Sequence, residues 1–284
     1  MENSNNKSAL VVEGGAMRGI FSTGILDAFL VNKFNPFDLH IGVSAGASNL
    51  AAYLAKMYQR NYKIFTDYSI RPDFINWRKF IFGGHLIDLD WLWDITIKEI
   101  RLDLKTICSN KGRYLMGLTD INTGQPVYIE PSEDNLEELL KASSSIPIFY
   151  RKFIEVEGLA YTDGGLADPI PVLEAYRQGA TNIMVIRSRP FSYEMKPSSN
   201  NFLVNRYFKK YPMLKKALLN REKVYKEAIE FIRKPPNGIK VMEINPPEDF
   251  QTKRLTKDIK ILNQDYKIGY HMGISVIEKW NNYI

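Results

Sequence analysis

The chain is most constrained by two glycine-framed turns, each standing between a short β-branched run and a helical pattern. Gly42-Val43-Ser44-Ala45-Gly46 has the G-x-S-x-G form of a nucleophile elbow, a sharp strand-to-helix turn that leaves a serine hydroxyl exposed. Glycine on either side keeps side chains out of a place where the two backbones come close. Residues 37–43 read as the strand and residues 47–55, rich in alanine, as the helix. Taken alone, the motif also fits an ordinary turn with a capping serine. The other turn, Gly14-Gly15-Ala16-Met17-Arg18-Gly19, follows the apolar run Ser8-Ala9-Leu10-Val11-Val12-Glu13, a buried first strand. It leads into residues 20–30, whose apolar side chains recur at helical spacing. Two β-turn-α units in succession predict an α/β fold of three layers, with helices on both faces of the sheet.

The 284 residues, 45% of them hydrophobic, are enough for one large core, or one with an appendage. We divide them into a main domain at 1–195 and a mostly helical extension at 196–284, with one strand at 239–244, packed on the same core. Residues 1–7 are polar and unpatterned. Residues 58–100 form an irregular aromatic segment with short helices, which reads equally as a lid or wall over a pocket and as ordinary core. Runs at 113–120 and 126–130 flank Asn122-Thr123-Gly124, a hairpin signal. Residues 134–142 read as a helix, 153–161 as one extended segment that Asp163-Gly164-Gly165 breaks, 183–187 as a buried strand, and 255–280 as a closing helix. No internal repeat and no low-complexity tract is present.

A serine nucleophile needs a base, donors for the oxyanion, and a turn that presents its Oγ. Ser44 has the turn, and the amides that open its helix, Ala45 first, point toward developing negative charge. The loop at Gly14, Gly15 and Ala16 offers further amides if the two strands are neighbours, because sites in open α/β sheets gather beyond the carboxyl ends of the strands. Arg18 either holds that loop or adds positive potential. Only three histidines exist, His40, His85 and His271, and none is well placed as a base. His40 lies on the strand that the turn leads away from, His85 among aromatics, and His271 inside the last helix. Asp163 is the better candidate, since its carboxylate comes off a strand end, and burial beside Ser44 would raise its basicity.

In this order, the three motifs resemble the patatin-like phospholipase family and are most similar to its bacterial members. That family carries a G-G-G-x-R/K-G loop, a G-x-S-x-G serine and a D-G-G/A aspartate. Here these are Gly14 to Gly19, Gly42 to Gly46, and Asp163-Gly164-Gly165, and Asp168-Pro169-Ile170-Pro171-Val172 also looks like the family. The resemblance covers residues 8–190. It implies a patatin-like sheet and lipid acyl-ester hydrolysis by a Ser44–Asp163 dyad. Gly14, Gly15, Ala16, Arg18 and Ala45 would form the oxyanion hole, and no cofactor or metal would be needed. Ala16 departs from the pattern by standing at the third glycine. If that position takes positive φ, its methyl group costs about 1 kcal/mol.

A net charge of +6 and a pI near 9.1 favour anionic partners. The basic, aromatic stretch at 200–234 reads either as a surface for anionic membrane or as a solvated helix face. Nucleic acid is not expected, because charge alone supports it. The Gly14–Gly19 loop lacks the spacing of a nucleotide cradle. With no secretory pattern, no run of about 18 apolar residues and a single cysteine, Cys108, the expected location is cytoplasmic, at most peripheral to a membrane. The rival to a hydrolase is a non-catalytic lipid- or anion-binding protein that keeps the fold.

Overall fold

The computed structural model describes residues 6–198 and 202–283. Eight strands form one mixed sheet: β1 (Lys7–Val12), β2 (Leu39–Val43), β3 (Arg113–Asp120), β4 (Pro126–Ile129), β5 (Ile154–Val156), β6 (Leu159–Asp163), β7 (Ala180–Ile186) and β8 (Lys240–Ile244). Their order is β5-β6-β3-β2-β1-β7-β8, with β4 also paired to β3. The strands from β8 to β3 are parallel, and β4, β5 and β6 pair antiparallel. The fold is therefore the three-layer α/β/α sheet expected, with an antiparallel flank.

The layers follow from alternation along the strands. In β1, Leu10 and Val12 enter a core shared with Phe21, Ile25 and Phe29 of α1 (Ile20–Val31) and with Leu50 and Leu54 of α2 (Ala45–Leu54). Ala9 and Val11 enter the opposite core, closed by Val172 and Ala175 and by Tyr225, Ala228 and Ile232 of the helix Pro212–Arg233. The chain beyond residue 195 thus adds β8 to the sheet edge and one long helix to each face, the second being Ile259–Tyr283, which lies along α1.

Three expectations are corrected. The extended segment at 153–161 is a hairpin, β5 and β6, turning at Gly158 with φ 78°. The closing helix begins at Ile259, because 251–258 is a loop in which Thr252 donates to the buried Asp265 carboxylate through both N–H and Oγ. Lys7, placed in the unpatterned start, opens β1. Of the basic stretch expected at 200–234, residues 200 and 201 lie outside the described residues, and a short 3-10 turn at Phe208–Lys210 precedes the long helix. The 58–100 segment builds a core of its own from Tyr68, Phe74, Ile75, Leu86, Ile87 and Leu89.

Register brings two strand ends together. Met116 and Gly117 pair with β2 on one flank of β3 and β4 on the other, whereas Leu118 and Thr119 pair with β4 and β6. A strand has only two flanks, so β2 and β6 share one and run toward each other. Val43 and Asp163 end up on the consecutive residues Gly117 and Leu118. The turn after Val43 is tight: a Cβ on Gly46 would lie 2.3 Å from Val12 O and 2.8 Å from Glu13 O. Gly46→Ala is expected to lower stability by about 1–3 kcal/mol, the usual range for overpacking, read as a reduced urea midpoint at unchanged m-value.

Candidate active site

Ser44 stands between β2 and α2 at φ 56°, ψ −128°, left-handed backbone that a non-glycine residue adopts only under strain. Its N–H donates to Ser143 Oγ at 2.8 Å, and Ser143 Oγ donates to Gly117 O at 2.7 Å. Ser143 therefore ties the strained turn to β3. The Ser44 hydroxyl donates to Asp163 Oδ2 at 2.7 Å. The two residues that the sequence singled out thus meet across 119 positions of chain, both buried.

Asp163 is the last residue of β6. Its Oδ1 accepts the Gly165 N–H at 2.8 Å, and its main-chain carbonyl accepts the Thr119 hydroxyl at 2.8 Å. Burial raises the carboxyl pKa. The Ser44 and Gly165 hydrogen bonds and the charges of Arg221 and Arg254 act in the opposite direction. A carboxylate held this way is a better base than an exposed one and remains within reach of the hydroxyl proton.

The glycine loop is held from behind. Glu13 Oε2 accepts Arg187 Nε at 3.1 Å and the Ser188 N–H at 2.7 Å, and Ser188 Oγ donates to Gly14 O at 2.9 Å. The Gly14 and Gly15 amides donate to no protein acceptor among the described residues. The Ala45 amide opens α2 and has no intrahelical acceptor. These are free donors around Ser44. Ala16 has φ 49°, so the methyl group sits in left-handed backbone at the position where the family pattern has glycine. Arg18 is buried, and its side chain makes no hydrogen bond among the described residues, with Nε wholly orphaned. Its side chain therefore holds the loop through no hydrogen bond among the described residues. Desolvation, with Arg189 close by, lowers its pKa to about 10.

The histidines lie elsewhere. His40 is buried between Asn35 Oδ1, 2.9 Å from Nε2, and Arg113 O, 3.2 Å from Nδ1, and burial lowers its pKa to about 4. His85 stacks on Tyr150 and accepts the Arg151 N–H, and His271 is exposed. Asp168 is also apart from Ser44, accepting a short hydrogen bond from the Tyr128 hydroxyl. Two clefts converge on Ser44. One is largely apolar, with Phe65, Ile87, Leu92, Trp93 and Leu140 in its wall, so part of the 58–100 segment forms a pocket wall as well as a core. The other contains Gly14, Gly15, Asp163 and three arginines, Arg18, Arg221 and Arg254. Both are lined by Ala16, Ser44, Ile146 and Arg254.

Sequence reasoning missed Ser143, Thr119, Arg221 and Arg254. The run Ser143-Ser144-Ser145 before Ile146-Pro147 marks a turn but not its hydrogen bonds. Arg221 and Arg254 carry no local signal, since each is one cation in a basic stretch.

A model of the patatin-like phospholipase family matches residues 10–176. The chain belongs to that family. Its members are lipid acyl hydrolases, and the motifs on which the resemblance rested are the ones that meet here. A second model, a domain of unknown function (DUF6363), matches residues 211–284. The uncharacterized protein YjjU of Escherichia coli K12 is 37% identical over an alignment of 278 residues that covers 93% of this chain and 75% of that protein. VipD from Legionella pneumophila aligns at TM-score 0.48 and 15% identity, over 96% of this chain and 67% of its own. The human GIVD cytosolic phospholipase A2, solved with methyl γ-linolenyl fluorophosphonate, aligns at TM-score 0.47 and 10% identity, over 100% of this chain and 60% of its own.

The raised pKa of Asp163 has a consequence for stability. A folded-state pKa above the unfolded value means that the native state binds more protons in the interval between them. Stability therefore falls as pH rises through that interval, and the penalty is complete above the folded pKa. Asp163→Asn removes the buried charge while keeping an acceptor for Gly165. Its melting temperature is expected to exceed that of the wild type by a margin that grows from pH 4 to pH 8, followed by circular dichroism.

Proposed function

We propose that this protein hydrolyses lipid acyl esters with Ser44 as nucleophile and Asp163 as its base, in a catalytic unit whose cleft is completed by residues beyond 195. The observation that carries the reading is the 2.7 Å hydrogen bond from Ser44 Oγ to Asp163 Oδ2, made beside free amides. A lipid-binding protein without turnover needs neither the strained serine nor the buried carboxylate. As Oγ attacks the ester carbonyl, its proton passes to Asp163. Amides of Gly14, Gly15, Ala16 and Ala45 stabilise the oxyanion, and Arg18 adds positive potential. Collapse of the tetrahedral adduct returns the proton from Asp163 to the leaving alcohol and leaves an acyl group on Ser44. Water, deprotonated by the same carboxylate, then attacks the acyl carbon; the bond to Ser44 Oγ breaks as Asp163 returns the proton to that oxygen, and the fatty acid leaves. The apolar cleft suits the acyl chain.

Lipid reaches this cleft from an anionic surface in the same proposal. The apolar stripe of the Pro212–Arg233 helix, with Leu214, Tyr225, Ala228 and Ile232, is turned into the protein, so its basic face is solvated. Exposed apolar side chains gather instead on the excursion between Ile75 and Ile87, two residues that pair with each other and line the apolar cleft. Trp77, Ile81 and Phe82 are 57, 77 and 81% exposed, with Arg78 and Lys79 between them and Arg151 over the Phe80 ring at 4.7 Å. Apolar tips ringed by cations suit the headgroup region of an anionic bilayer. No helix among the described residues is long and apolar enough to cross one.

Ser44→Ala is expected to abolish hydrolysis of an acyl-ester dye and labelling by a fluorophosphonate probe. Asp163→Asn should lower kcat by about 10²–10⁴. Turnover by purified Ser44→Ala, or a kcat of Asp163→Asn within about tenfold of the wild type, would refute the dyad. In sedimentation with phosphatidylglycerol vesicles, the wild type is expected to bind at low salt and release at high salt. Ile81→Glu with Phe82→Glu should weaken that binding at least tenfold; equal binding by this variant would remove the excursion as the docking surface.

A further inference from the structure

We infer that Arg60, in the wall of the apolar cleft, selects acyl chains that carry an oxygen function several carbons from the ester, a hydroxyl or a carboxylate that accepts from its guanidinium. This rests on the hydrolase reading above and adds the class of acyl chain. An arginine is out of place in a cleft built for hydrocarbon. Arg60 is nonetheless only 9% exposed and lines that cleft together with Ser44, Leu92, Trp93 and Leu140. Its backbone is set by the turn before it. Gln59 stands at φ 57°, and its N–H donates to Asp27 Oδ1 on α1 at 3.1 Å. The short helix Arg60–Lys63 that follows starts with Arg60 and Asn61 both buried.

What singles out Arg60 is one unused donor. Its Nε donates to Ile100 O at 2.8 Å, one of the carbonyls left over at the end of the helix Leu89–Ile100. Its Nη1 donates to Asn61 Oδ1 at 2.9 Å. The Asn61 amide donates in turn to Ser48 O at 2.8 Å and to Asn49 Oδ1 at 2.7 Å, and the Asn49 amide donates to Gly19 O and Ser22 Oγ. Nη2 makes no hydrogen bond among the described residues, yet it is not enclosed as Arg18 Nε is, which leaves it facing the cleft. The neighbouring carboxylate does not fill that place. Glu137 also lines the cleft, but Arg101 holds both of its oxygens, at 3.0 and 2.8 Å, and Arg60 forms no ion pair with it. Burial lowers the Arg60 pKa to about 10, with the Glu137 charge acting the other way, so the guanidinium stays protonated at neutral pH.

Position decides what this donor meets. Ser48 and Asn49 follow Ser44 by one turn of α2, ~6 Å of rise, and Asn61 and Arg60 continue the hydrogen-bonded row from there. An acyl chain that enters the cleft with its carbonyl carbon at Ser44 runs past this row. A plain alkyl chain would cover Nη2 with hydrocarbon and leave a charged donor without an acceptor. An oxygen at that depth restores the acceptor, and a carboxylate there also balances the charge.

The test uses 4-nitrophenyl esters of straight-chain acids in a series of lengths, each chain ending in methyl, hydroxyl or carboxylate. In the wild type, at one length or at adjacent ones, an oxygen-ended ester is expected to exceed the methyl-ended ester of equal length about tenfold or more in kcat/KM. Preference for the carboxylate alone assigns an ion pair, and preference for the hydroxyl as well assigns a hydrogen bond; either supports the inference. No preference at any length overturns it without recourse to a variant. Arg60→Gln should cut the preference about tenfold or more, through KM, while the methyl-ended esters stay within about threefold of their wild-type values. Were Arg60 only holding the fold, all esters would fall alike and the preference would stand, which overturns the inference. Binding is measured separately in Ser44→Ala protein by calorimetry, with the free dicarboxylic, ω-hydroxy and plain fatty acids of each length. Tighter binding of an oxygen-ended acid, lost on adding Arg60→Gln, supports the assignment, and equal binding at every length overturns it. If no ester is turned over while that difference in binding persists, the hydrolase reading fails and the role of Arg60 stands.

Discussion

The arrangement depends on a transfer of hydrogen bonding along one flank of β3. Up to Gly117 that flank belongs to β2, and from Leu118 it belongs to β6. Because the two strands arrive from opposite directions, the residues at their ends cannot continue and must turn out of the sheet at one spot. Gly164 shows how little room remains, since a Cβ there would lie 2.1 Å from Gly117 O. Ser143 occupies the junction, accepting from the Ser44 amide and donating to the Gly117 carbonyl. The strained serine is thus held by backbone groups that the broken ladder would otherwise leave unpaired.

Polarity is then distributed around that junction. On one side, aromatic and aliphatic side chains of the 58–100 segment and Leu140 make an apolar wall. On the other, arginines from distant parts of the chain surround a buried carboxylate. The carboxylate is opposed by burial and supported by Ser44, Gly165, Arg221 and Arg254, so its proton affinity reflects a balance rather than a single neighbour. Behind the glycine loop, Arg187 pairs with Glu13 and Glu243, and Glu13 also accepts the N–H of Ser188, whose hydroxyl donates to Gly14 O.

Much of the fold was legible because its signals are local. The β-branched runs at β1, β2 and β3 and the alternation that buries them on two faces are patterns of neighbouring residues. The hairpin at 154–163 was missed because Gly158 sits in a short run that reads as continuous extension. The start of the last helix was misplaced because Thr252 and Asp265, whose hydrogen bonds hold the preceding loop, are 13 residues apart. In the site, Ser44 and Asp163 stood out by their glycines, while Ser143 and Thr119 did not, since each acts only through a backbone group supplied by another strand.

By itself, the sequence determined which backbone turns are possible: glycine at 42 and 46, at 14 and 15, and at 164 and 165, with a serine or an aspartate at each reactive end. That none of the three histidines reaches Ser44 was decided by the structure, where Asp163 takes the place beside the hydroxyl. Only the tertiary structure decided that the hydroxyl and the carboxylate face each other across 119 residues, and that the arginines at 221 and 254 stand beside them. The reason is steric reach. A turn is selected by clashes within a few residues, whereas a contact between distant residues exists only once strand register and helix packing have fixed where each backbone segment ends.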